Sequence, residues 1–181
     1  MERNRDALQS LNELPQAIAE KLIDYLKLYF IIGFMPAAVA TWLDSRDFSL
    51  VEKRQSDILE TYENDFSKHA PKNTLQKLRY LWNSVPSQLA KENKKFIYGL
   101  VREGARARDY EEAMLWLLDS GLLHKVGRIT KAAMPLKAYE DLKAFKLYYL
   151  DVGLLRCVSE LPLEAIIEGI EIVEEFKGAF T

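Results

Sequence analysis

Apolar positions in the first third of the chain recur at helical spacing. From Pro15 onward, Ile18, Leu22, Tyr25, Leu26 and Tyr29 recur at that spacing, which predicts a helix. Gly33 and Pro36 break the pattern, and Ala37 to Leu43 reads as a short second helix. Ser49 and Glu52 have capping-box spacing ahead of a third helix carrying Val51, Ile58, Tyr62 and Phe66. His69-Ala70-Pro71 ends that helix, because the residue before a proline avoids helical geometry.

The middle third changes rhythm. Asn73 is placed to cap a helix whose buried face is Leu75, Leu78, Leu81 and Trp82. Pro86 suits the first turn of another short helix, Ser87 to Glu92. Asp109 is placed to cap the next one, with Tyr110, Met114, Leu117 and Leu118 inward and Gly121 as its left-handed terminator. Trp82, Leu117 and Leu118 are the expected centre of this core. Leu123 to Ile129 then reads as a strand and Phe145 to Leu150 as a second, joined by a loop of about 15 residues, long for a hairpin. Three helices followed by a two-stranded hairpin is the order of a winged helix-turn-helix. The expected fold is therefore mainly α: a helical segment over 1–70, a winged helix over 71–156 and a helical tail over 157–181. Pro162 opens that tail and Gly169 interrupts it. The apolar and acidic stretch Ile170 to Phe180 then stops without a capping sequence, so the chain reads as a fragment.

Charge adds a candidate surface. The net charge of −2 divides into −5 over residues 1–67, +8 over 68–108 and −5 over 109–181. The basic middle suits an anionic partner, or is simply a set of solvated helix faces. The candidate nucleic-acid contacts are Arg102, Arg106 and Arg108 before the third helix, Lys91, Lys94 and Lys95 from the second, and Lys131, Lys137 and Lys143 in the wing. The third helix itself offers Glu111 and Glu112 and no base on its exposed side, which opposes groove entry.

Other chemistry is sparse. The single cysteine, Cys157, forms no intramolecular disulfide, and no signal peptide precedes the first helix, so the expected compartment is the cytoplasm. The apolar stretch from Leu28 to Leu43 is too short and too interrupted to span a bilayer. Two histidines, His69 and His124, and one cysteine supply no zinc-ligand spacing and no nucleophile–base pair. Trp42, Trp82 and Trp116 sit in apolar registers and read as core anchors.

Four strings, in order and across nearly the whole chain, carry a family resemblance. They are Gly33-Phe34-Met35-Pro36, Asp57 to His69, Pro86 to Phe96, and Pro135 to Asp141 with Phe145-Lys146-Leu147 and Asp151-Val152-Gly153-Leu154-Leu155. Together they resemble the helical lid, connection and winged helix of bacterial and archaeal AAA-type ATPases that end in a nuclease-like domain of unknown function. The pattern departs from that family at Phe34, where a second glycine is usual, and at Ala37, where an acid is usual. The resemblance implies a parent that binds ATP and Mg²⁺ in a separate module. No Gly-x-x-x-x-Gly-Lys-Ser/Thr string occurs here, so this chain has no phosphate cradle and is expected to hold no cofactor and catalyse nothing. Glu174 to Ala179 resembles the first helix of the nuclease-like domain. Glu175 and Lys177, lacking a partner aspartate, do not make a metal site. The expected role is a non-catalytic connector or interaction module, with duplex DNA, a protein or the parent's flanking domains as partner. The alternative is a free-standing winged-helix transcriptional regulator.

Overall fold

The computed structural model describes residues 15–90 and 95–167. Lys91, Lys94 and the acidic stretch from Glu171 to Glu175 lie outside the described residues. The element order is α1 (Gln16–Ile32), α2 (Pro36–Ser45), α3 (Phe48–His69), α4 (Leu75–Ala90), a 3₁₀ turn (Tyr98–Leu100), α5 (Ala107–Asp119), β1 (Leu123–Ile129), a second 3₁₀ turn (Leu136–Tyr139), β2 (Glu140–Tyr149), α6 (Val152–Val158) and α7 (Leu163–Ile167). The protein is mainly helical, with one antiparallel two-stranded sheet among the described residues, in winged-helix-like order. No single helix among the described residues is long and apolar enough to cross a membrane; α1 and α2 reach that length only as a pair bent by 118°.

Two apolar clusters organise the chain. The larger joins Leu59 and Phe66 of α3, Leu78, Leu81 and Trp82 of α4, Met114 and Leu117 of α5, and Leu147 and Tyr149 of β2. Phe66 meets the edges of both Trp82 and Trp116, the favoured geometry for aromatic pairs. The smaller cluster gathers Ile31, Ile32, Ala38, Val51, Leu161, Ala165 and Ile166. Helix α3 spans both: Val51 near its start belongs to the second and Phe66 near its end to the first.

Several local expectations are corrected. Asp47, not Ser49, caps α3, its carboxylate accepting from the Ser49 N–H at 2.8 Å. Helix α5 starts at Ala107, so Asp109 is not its cap but its third residue, reaching back to the Arg106 N–H at 3.2 Å. Leu118 is only half-buried; Ala113 takes its place in the core beside Leu117. The second strand begins at Glu140, five residues earlier than its apolar run. Arg128 pairs with Asp141 beyond an irregularity at Gly127, which shortens the wing loop.

The helix expected at Ser87 is also corrected. Pro86 lies inside α4, which runs unbroken to Ala90. An interior proline has no N–H to give to the carbonyl four residues back, here that of Trp82. The Tyr149 hydroxyl donates to the Trp82 oxygen at 2.8 Å, with the two rings 4.2 Å apart. A strand side chain thus supplies the hydrogen bond the helix lacks. The short middle helix of the winged helix is instead the 3₁₀ turn at Tyr98, and Phe96 just before it donates its N–H to the Phe145 carbonyl of β2 at 2.6 Å.

Tyr149→Phe will cost about 1–3 kcal/mol in denaturant unfolding, because the buried carbonyl is left without a donor. In a Pro86→Ala background, where the helix regains its own donor, the same change will cost measurably less; equal costs in both backgrounds would refute the pairing. The same hydroxyl makes stability depend on pH. Burial pushes the Tyr149 hydroxyl well above its ordinary value, and burial also raises Tyr62, Tyr98 and Tyr110. A group raised on folding stabilises fully below its unfolded value, about 10 for tyrosine, and loses that contribution as pH rises through the folded value. Stability should therefore fall above about pH 10, and Tyr149→Phe should flatten that alkaline limb in unfolding midpoints recorded against pH.

Candidate functional site

The sharpest constellation is a buried clasp between two of the sequence strings. Helix α1 ends at Gly33, whose φ of +73° is left-handed and suits glycine. The chain turns there toward α2, and Asp151, 1% exposed, closes over the turn. One Asp151 oxygen accepts from the Phe34 N–H at 2.6 Å; the other caps α6 by accepting from the Leu154 N–H at 2.7 Å. One carboxylate thereby serves two chain segments 117 residues apart. Gly153 has no room for a side chain, since a Cβ there would lie 2.7 Å from the Gly33 nitrogen.

A second layer of polar groups backs this clasp. Gln55 of α3 donates its amide to the carbonyls of Ile31 and Ile32 at 2.9 and 3.0 Å, serving acceptors left over at the end of α1. Its own oxygen accepts from Arg156 Nη2 at 3.0 Å. Arg156 is 1% exposed; its Nη1 donates to the Leu161 carbonyl at 3.2 Å and lies 3.6 Å from the Glu52 carboxylate. A buried cation is tolerated only with such partners. The charge of Asp151 reaches Tyr62, where it adds to burial in raising the phenol.

The basic candidates do not converge on one place. Arg102 lies over the Tyr80 ring at 5.9 Å, beside a cleft of about 290 Å³ that Lys77, Tyr80 and Tyr110 also line. Arg106 is the residue before α5, and exposed Arg108, in its first turn, sits 3.7 Å from Asp109. Arg108 also borders a groove of about 300 Å³ between α5 and the wing, floored by Met114, Leu115, Leu118 and Phe145. Lys95 follows α4 rather than lying in a second helix, and edges a crevice with Phe96 and Lys146. Lys131 lies over Tyr139 at 5.9 Å, Lys137 is in the second 3₁₀ turn, and exposed Lys143 is in β2. Sequence reasoning missed Lys125, which reaches over Phe145 at 4.4 Å on the groove wall, and Lys77 in the cleft. Arg128 is engaged by Asp141, whose carboxyl the Lys143 N–H and then the Arg128 guanidinium hold below the usual range. No group of three or more metal-ligating side chains occurs among the described residues.

One family profile, described as a domain of unknown function (DUF8612), matches residues 23–165. The chain belongs to the DUF8612 family. No curated protein and no solved structure matches it. The DUF8612 region begins within α1 and ends within α7, so the larger apolar cluster, all of the smaller one but Ile166, and the whole Asp151 clasp lie inside it. All eight of Gly33, Phe34, Gln55, Asp151, Gly153, Leu154, Arg156 and Leu161 belong to the matched DUF8612 residues.

Proposed function

We propose that this chain is a non-catalytic connector: the C-terminal region of an AAA-type ATP-binding protein, in which the winged helix is tied to the helical segment that would follow an ATPase module. The observation that carries this reading is the Asp151 clasp. It joins the turn after α1 to the exit of the wing, two of the four strings that carry the family resemblance. A connector needs its ends to move together, and α3, anchored in both clusters, gives that coupling a rigid path. ATP and Mg²⁺ belong to the parent's separate module, and the expected compartment is the cytoplasm.

The test follows the two clusters separately. Trp42 packs against the smaller one, stacked on Phe48, and Trp82 lies in the larger. Single-tryptophan variants reporting from each should unfold at one denaturant midpoint, and Gly153→Val should split the two transitions. Separate midpoints in the parent sequence would refute the connector. Micromolar nucleotide binding to this chain by calorimetry would refute the placement of ATP chemistry outside it.

Duplex DNA is the second reading, favoured by exposed Arg102, Arg106 and Arg108 around the start of α5. Binding through phosphates alone would have a Kd of roughly 10⁻⁴–10⁻⁶ M and weaken steeply with salt. In fluorescence anisotropy with a labelled duplex, Arg106→Ala with Arg108→Ala should lower the log–log salt slope by about one unit for each phosphate no longer neutralised. No binding at low salt would remove DNA as a partner.

A further inference from the structure

Helix α5 leaves one side without a cover. Tyr110, Ala113, Met114 and Leu117 turn into the larger cluster. The neighbouring stripe, Glu111, Leu115 and Leu118 with Met114 at its edge, faces the groove beside the wing. Leu115 is 52% exposed and Leu118 half-buried, and Phe145 of β2 completes the apolar floor.

The shape and charge of this groove select an occupant. Its volume of about 300 Å³ is at the lower limit for small-molecule sites, roughly 300–1,000 Å³. From Arg108 to Leu118 it follows about 15 Å of helix, nearly three turns. That is the length over which a second helix presents apolar anchors at i, i+3, i+4 and i+7 to a groove. Met114, with its flexible thioether, can adapt to such anchors. The rim is basic at two places: exposed Arg108 at the start of α5, and exposed Lys125 over the Phe145 ring at 4.4 Å. Lys125 forms no ion pair among the described residues. Glu111 is the one acid on the lining, and its charge bears on the Tyr98 phenol, which it helps burial to raise. Nucleic acid suits the groove poorly, because Glu111 and exposed Glu112 repel phosphates and Leu115 offers them no donor. We propose that the groove between α5 and the wing binds an acidic amphipathic helix of a partner protein, its apolar anchors seated on Leu115, Leu118 and Phe145 and its carboxylates paired with Lys125 and Arg108. This gives the connector its partner and so rests on that reading; peptide binding and unfolding midpoints are measured separately, so either can fail alone.

The probe is a phage-displayed library of random peptides of roughly sixteen residues, long enough for about four helical turns, panned against the full chain. Enriched sequences should carry apolar residues at i, i+3, i+4 and i+7 with acids beside them. A labelled synthetic copy of the most enriched peptide should bind the full chain in fluorescence anisotropy. Leu115→Ser should weaken that binding about tenfold, the loss of one apolar anchor contact. Lys125→Glu should weaken it by a similar factor at low salt and by less at high salt. Both positions are exposed, so both variants should keep the parent's unfolding midpoint, and Lys53→Ala on the exposed side of α3 should bind as the parent does. Failure to enrich any peptide, enrichment of basic or uncharged ones, or a peptide that the Leu115→Ser chain binds equally well would overturn the proposal. So would a parent chain that sediments as a dimer and becomes monomeric with Leu115→Ser, which would give the groove to a second copy. Duplex DNA binding abolished by Leu115→Ser would give it to nucleic acid and overturn the proposal as well.

Discussion

Replacing Asp151 by alanine will lower stability by about 2–6 kcal/mol, since two backbone N–H groups, each worth roughly 1–3 kcal/mol when buried and unserved, lose their acceptor. The Leu154 N–H belongs to a buried residue and that of Phe34 is part-buried, so water replaces the carboxylate poorly. Gly33, against which the carboxylate rests, would also face a gap. Asp151→Asn retains one acceptor oxygen but aims an amide at the other donor, and should fall between parent and alanine variant. Exposed Asp119→Ala is the control, expected within about 0.5 kcal/mol of the parent. Guanidinium unfolding with a shared slope reads all three. An Asp151→Ala loss no greater than the control would show that the clasp does not hold the two strings together.

Leu117→Ala is the second large effect, about 2–5 kcal/mol, the usual range for emptying a fully buried leucine site. Leu117 is wholly buried in the larger cluster with Leu78, Leu81 and Trp82, side chains held by secondary structure and unable to collapse freely into the space. Its neighbour Leu118 lines the open groove beside the wing, so Leu118→Ala should cost under about 2 kcal/mol. The contrast between adjacent leucines, measured by the same unfolding curves, checks the helical register of α5. Equal losses would mean that the helix is turned by part of a residue step.

The sequence pattern led correctly where local chemistry decides. The bounds of β1 coincide with the predicted strand because Gly121 turns the chain and the strand starts at once. Trp82 and Leu117 are core residues for the reason their spacing suggests. The pattern misled where a distant group decides. Pro86 resembles a helix start, but the helix continues through it, and a tyrosine hydroxyl 67 residues from Trp82 serves the carbonyl the proline leaves open. The apolar period of α1 correctly marks a helix, but periodicity carries no information about what lies opposite. Glu140 to Lys143 look like loop until the Arg128–Asp141 pair extends the ladder. The strings at 33–36 and 151–155 are visible singly. Their interlock is not, because it depends on two glycines meeting across the fold. The basic candidates follow the same rule: adjacency in sequence places Arg102 and Arg108 together, whereas the structure sets one in the cleft beside α4 and the other at the groove beside the wing.

The proline inside α4 has an evolutionary consequence. A lineage with alanine at position 86 has no orphan carbonyl at Trp82, and phenylalanine and tyrosine at 149 are then nearly interchangeable. Once proline is in place, losing the hydroxyl costs about 1–3 kcal/mol. The order of substitution is thus biased: tyrosine at 149 before proline at 86 is the less costly route, as is loss of proline before loss of tyrosine. Across DUF8612 sequences, proline at the first position should be found with tyrosine at the second, while the reverse dependence need not hold.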